Sequence, residues 1–137
     1  MSDDFANSVN EQAIEASNMV LKTLIILHGG ASIGLLAFLG NLIGKSPPLR
    51  ADKVANVAMS ITSFGWGIVA AVVAMVLAYA THYLTVATQW GREERRDDYR
   101  AGKTIIHGLA ICLTTVSLIL FVCGMFSVRD SIIQILD

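Results

Sequence analysis

VANVAMSITSFGWGIVAAVVAMVLAYATHYLTVATQWG, residues 54–91, contains no Asp, Glu, Lys or Arg. About 20 consecutive apolar residues as a helix cross a hydrocarbon core of about 30 Å, so this run covers one crossing with residues to spare. Trp66 and Trp90 stand within it, separated by about 36 Å of helix at 1.5 Å per residue, close to the distance between the two aromatic belts of a bilayer. The second span is therefore placed at residues 66–90, with 54–65 as an entry helix or an extension.

The same pattern appears on both sides. Residues 21–43 hold Lys22 as their only charge, and residues 105–128 hold no charge apart from a proton on His107. Between the first two runs, Gly44-Lys45-Ser46-Pro47-Pro48 stops a helix, because proline supplies no amide hydrogen and clashes with the preceding turn. Between the second and third, Arg92-Glu93-Glu94-Arg95-Arg96-Asp97-Asp98-Tyr99-Arg100 is short and densely charged, which sets two antiparallel neighbours. Its four-residue like-charge pairs (Arg92 with Arg96, Glu93 with Asp97, Glu94 with Asp98) mildly disfavour an isolated helix. Before the first run, Phe5, Val9, Ala13, Ala16 and Val20 recur at helical spacing with Asp4, Glu11 and Glu15 elsewhere, an amphipathic helix leading into the first span. The expected fold is all-α: a polytopic membrane protein with three transmembrane helices at 21–43, 66–90 and 105–128 and an N-terminal amphipathic helix over 1–20. Composition agrees, since 54% of the residues are hydrophobic, only 15% are charged and mean hydropathy is +0.60, against about 25% charged in soluble domains.

Several function classes drop out. A net charge of −1 gives no field for a polyanion, so nucleic acid is not an expected partner. No carboxylate, Lys or Arg lies deep in a span, which argues against an ion-coupled transporter. No nucleophile stands in a motif with a base, so no catalytic residue, cofactor or metal is assigned and the chain does not read as an enzyme. Cys112 and Cys123 are about 16 Å apart along one helix and cannot bridge each other; they read as packing residues. No basic segment precedes the first apolar run, so that run is expected to remain as a span. Lys22, Arg92, Arg95, Arg96, Arg100 and Lys103 share one face, against Lys45, Arg50, Lys53 and Arg129 on the other. The excess places the N-terminus in the cytoplasm.

Span two carries the sharpest pattern. Ser60, Ser63, Gly67, Ala70, Ala71, Ala74, Ala78, Thr81, His82, Thr85 and Gln89 fall on one side of the helix, largely opposite Val69, Val72, Val73, Val76, Tyr79 and Tyr83. A small, weakly polar stripe permits close helix packing, or lines a narrow water path in which Phe64 would be the constriction. Span one carries two GxxxG patterns, Gly30–Gly34 and Gly40–Gly44, and Gly30, Gly34, Ala37, Asn41 and Gly44 share a face, a helix-packing surface for another span or a second subunit. His28, His82 and His107 are all placed toward one membrane face. They are candidates for a ligand or proton site, or for single interfacial hydrogen bonds. The N-terminal helix and the 92–103 loop are candidate contacts for a protein partner.

The segment HGGASIGLLAFLGN, residues 28–41, resembles the first span of small uncharacterised bacterial three-span membrane proteins, and the resemblance implies a bacterial inner membrane. So short a chain encloses little by itself, so the leading expectation is self-association in the lipid bilayer. That yields a homo-oligomeric pore-forming or membrane-perturbing protein, such as a toxin or defence effector. The competing readings are an accessory subunit or membrane anchor of a hetero-complex, and a haem- or metal-binding subunit built on the histidines.

Overall fold

The computed structural model describes the backbone of residues 2–43, 51–90 and 96–136, and side chains within 8–9, 11–43, 54–85 and 99–135. Those residues form three helices: α1 (Ser2–Ile43), α2 (Ala51–Trp90) and α3 (Arg96–Leu136). Each contains a segment long and apolar enough to cross a membrane, Glu11–Ile43, Val54–Thr85 and Tyr99–Ile135.

The helices run further than the expected spans. With 42, 40 and 41 residues, each is about 60 Å long, twice a hydrocarbon core. Residues 54–65 extend α2 without a break, since nothing between Ala51 and Ser60 is a proline or glycine. The N-terminal segment likewise continues into α1 as one helix. Its expected apolar face is not the one that packs: Val9, Ala13, Ala16 and Val20 are exposed, while Ile14, Asn18 and Leu21 turn inward. α3 starts at Arg96; the like-charge pairs each include Arg92, Glu93 or Glu94, which lie outside the described residues.

α2 is the central helix. It packs along much of α3 and against α1, whereas α1 and α3 barely touch. The buried positions explain how. On α2 they run Val57, Ser60, Phe64, Gly67, Ala71, Ala74 and Thr81, with Ala78 half-buried, alternating steps of three and four. On α3, Ala110, Ser117, Gly124 and Ser131 are buried at every seventh residue. On α1, Leu21, Leu24, His28 and Leu35 follow the same spacing. A 3.5-residue repeat on straight helices of 3.6 residues per turn requires a left-handed supercoil, the geometry of most helical membrane bundles.

Large and small residues interdigitate across these seams. Leu21 and Leu24 of α1 meet Ala71 and Ala74 of α2, with Ile25, Met75 and Leu113 around them. Leu35, Val57 and Phe64 form a second cluster with Ile61, Phe121 and Val128. Phe64 lies over Gly124, where a Cβ would come within 2.7 Å of the ring. The outer surface is the reverse of a water-soluble domain's: Ile26, Ile33, Met59, Trp66, Val76, Tyr79, Tyr83, Ile105 and Met125 are exposed, while serines and a histidine are buried.

Candidate functional site

The three helices meet at one polar point. His28 of α1 is fully buried, with its imidazole over Gly67 of α2, where any Cβ would overlap the ring. Two phenyl rings hold it edge-on, Phe64 at a centroid distance of 5.8 Å and Phe121 at 5.2 Å. Its Nε2 lies 3.1 Å from the Ser117 carbonyl oxygen and 3.2 Å from Ser117 Oγ. A carbonyl only accepts, so Nε2 carries the proton and donates. Ser117 Oγ–H in turn donates to the Gly67 carbonyl at 2.9 Å. The relay therefore runs from α1 to α3 to α2. It is the main polar link between α1 and α3, which otherwise hardly touch.

His28, Gly67 and Ser117 each lie near the midpoint of the apolar segment that carries them. Their burial makes the arrangement costly to disturb, because a buried polar group that loses its partner has no water to replace it. The tautomer that satisfies Nε2 leaves Nδ1 with a lone pair, and this atom is buried with no hydrogen-bond partner. Two further links join α2 to α3 away from the centre: Ser60 Oγ donates to Ser127 Oγ at 2.9 Å, and Asn56 Nδ2 donates to Gln134 Oε1 at 3.0 Å. The remaining hydroxyls largely bond back along their own helix, as Thr81 does to Leu77 O and Thr114 to Ala110 O. Ser117→Ala deletes the bond to Gly67 and one acceptor of His28 but leaves the Ser117 carbonyl in place. We expect a loss of about 1 kcal/mol in unfolding titrations in mixed micelles.

The candidate residues separate into three groups. Of the α2 stripe, Gly67, Ala70, Ala71, Ala74 and Thr81 are buried and Ser63, Ala78 and Thr85 half-buried; within one chain this face is covered by α1 and α3. Phe64, the candidate constriction, is only 1% exposed and sits in that same interior. The α1 face is oriented oppositely. Gly30, Gly34, Ala37 and Asn41 are exposed, and a Cβ at Gly30 or Gly34 would meet nothing within 4 Å. Packing of this face against α2 or α3 of the same chain is therefore not what the fold does, because the heptad positions of α1 occupy the other side.

The histidines are not brought together. His82 and His107 are exposed, about 22 Å along α2 from Gly67 and about 15 Å along α3 from Ser117, respectively. His28 has its Nε2 committed to Ser117, and among the described residues no three His, Cys, Asp or Glu converge on a metal-sized site. His28 is not level with the other two: it sits near the middle of the apolar segment Glu11–Ile43, whereas His82 and His107 lie toward one end of theirs. Cys112 and Cys123 are exposed free thiols. Gly44, residues 92–95 and the side chains of Gln89, Trp90 and 96–98 lie outside the described residues.

Ser117, Phe121 and Gly124 were absent from the candidates, since span three carries no continuous small-residue stripe at a 3.6 period. Its signal is the seven-residue recurrence Ala110, Ser117, Gly124, Ser131. No family model, curated protein or solved structure matches the chain.

Proposed function

We propose that the chain is a three-span integral membrane protein of the bacterial inner membrane, with a cytoplasmic N-terminus, that acts by lateral self-association and not by catalysis. The observation that carries this reading is the division of small residues between two faces. The α2 stripe is largely consumed inside the bundle, while the α1 face of Gly30, Gly34, Ala37 and Asn41 is left outward, beside large apolar side chains such as Ile26 and Ile33. Lipid solvates the large side chains. A glycine-rich face gains more from a second helix, whose backbone it lets approach closely. Asn41 Nδ2 bonds to Ala37 O of its own turn, and its carbonyl oxygen remains to accept across such a contact.

The homo-oligomer is the unit that perturbs the bilayer or forms a pore. A path through it runs between copies, because the interior of each copy is filled by Phe64, Phe121 and His28. Gly30→Ile with Gly34→Ile should convert the detergent-extracted complex to monomer, read as native mass, and abolish dye release from reconstituted vesicles, with helix content unchanged. A wild-type protein that is monomeric at every protein-to-lipid ratio would overturn the proposal. Stable co-purification of a different protein with that monomer would favour the accessory-subunit reading.

A further inference from the structure

We infer that the cleft between α1 and α3 is a binding site for one anionic glycerophospholipid. The inference rests on membrane insertion as proposed above but not on self-association. Since α1 and α3 both lean on α2 and scarcely on each other, an open groove of about 550 Å³ remains between them, lined by Gly34 and Leu35 of α1, Phe64 of α2, and Met125, Val128 and Arg129 of α3. Its size is that of a small-molecule site. Its lining residues are apolar apart from Arg129, which brings the one guanidinium.

The position of that guanidinium selects the ligand. Arg129 is the first charged residue after the uncharged run 105–128. It lies about 18 Å along α3 from Ser117, against a half-thickness of about 15 Å for the hydrocarbon core. Arg129 therefore stands at phosphate depth, with Met125, Val128 and Phe64 below it where an acyl chain runs. Gly34 keeps the groove open on the α1 side, with nothing within 4 Å of the place of its absent Cβ. Among the described residues no hydrogen bond or ion pair occupies Arg129, and no carboxylate lines the groove. An arginine forms paired hydrogen bonds to a phosphodiester. With Arg129 the one charged residue among the described lining residues, the site favours a lipid of net negative charge.

The test loads the full-length protein into vesicles of equal phosphatidylglycerol and phosphatidylcholine, extracts it in mild detergent and counts retained lipids by native mass spectrometry. Wild type should retain one lipid per copy with about a fivefold excess of phosphatidylglycerol, the factor expected for one basic side chain at a membrane surface. Arg129→Gln should retain lipid without that preference. Met125→Trp, an exposed position whose larger side chain narrows the groove, should retain markedly less. Equal retention of the two lipids by wild type, or retention unaffected by both variants, overturns the site. Loss of oligomer without loss of lipid in Met125→Trp would assign the groove to a second copy instead. Resistance of the protein to alkaline extraction from native membranes is scored separately, so failure of membrane insertion is distinguishable from failure of the lipid site.

Discussion

Gly67→Val should be among the most damaging single substitutions in the bundle, lowering stability by about 3 kcal/mol or more in unfolding titrations followed by tryptophan fluorescence. A Cβ at this position overlaps the His28 imidazole. The ring has no room to yield, held edge-on by Phe64 and Phe121 and bonded at Nε2 to Ser117. Either α1 moves away from α2 or the imidazole leaves the relay, and both leave buried polar atoms without their partners. A double-mutant cycle separates the steric cause from a generic intolerance of valine. His28→Ala alone should cost about 2 kcal/mol through lost contact with the two phenyl rings. In the Gly67→Val/His28→Ala protein the new methyl groups occupy the vacated space, so the double variant should be more stable than Gly67→Val alone, with a coupling energy of about 1–3 kcal/mol. Additive losses would mean that the Gly67–His28 contact does not hold α1 in place.

The three long apolar helices were legible because a run of 38 residues at 54–91 holds no Asp, Glu, Lys or Arg, and a similar, shorter run lies on each side of it. The lengths were less legible. Loss of apolar character does not end a helix: α1 and α3 begin well before the apolar runs at 21–43 and 105–128, and α2 begins at Ala51, ahead of Trp66. The α2 face was visible at a 3.6 period because nearly every residue on it is small. That period nevertheless blurred which of them are central: His82 is exposed although it lies on the stripe, and Val57, off the stripe, is 1% exposed.

The relay at the centre was the least legible part. His28 on α1 and Ser117 on α3 are 89 residues apart, and neither sits in a local motif. What relates them is the supercoil, which brings into one layer the heptad positions of three helices. A search at seven-residue spacing finds Ala110, Ser117, Gly124 and Ser131, but not the register that sets Gly124 against Phe64 and Ser117 against Gly67. The choice of glycine on one helix is thus explained only by the bulk of a residue on another. Single-helix periodicity carries no such information.

Phe64→Ala tests the interior from the opposite direction, by removing volume where Gly67→Val adds it. Phe64 is 1% exposed and touches His28, Phe121, Leu35 and Val57 in the second core cluster. The expected loss is about 3–5 kcal/mol, the range for a buried phenyl truncated to a methyl. The upper part of that range is favoured here because the wall opposite the ring is Gly124, which has no side chain to fall into the gap. Phe64→Leu should cost markedly less, and Gly124→Ala, damaging alone through its approach to the ring, should become neutral or favourable once Phe64 is alanine. The same variants decide the meaning of the α2 stripe. A constricting residue in an open path bears little on stability, so its truncation would leave the unfolding midpoint in place and raise the conductance of each reconstituted assembly. A packing residue does the opposite. Phe64→Ala should therefore lower the midpoint while leaving the unit conductance of any assemblies that still form unchanged, since the path between copies does not pass Phe64. Raised conductance with undiminished stability would place the α2 stripe on a pore axis and require α2 to separate from α1 and α3 in the conducting state.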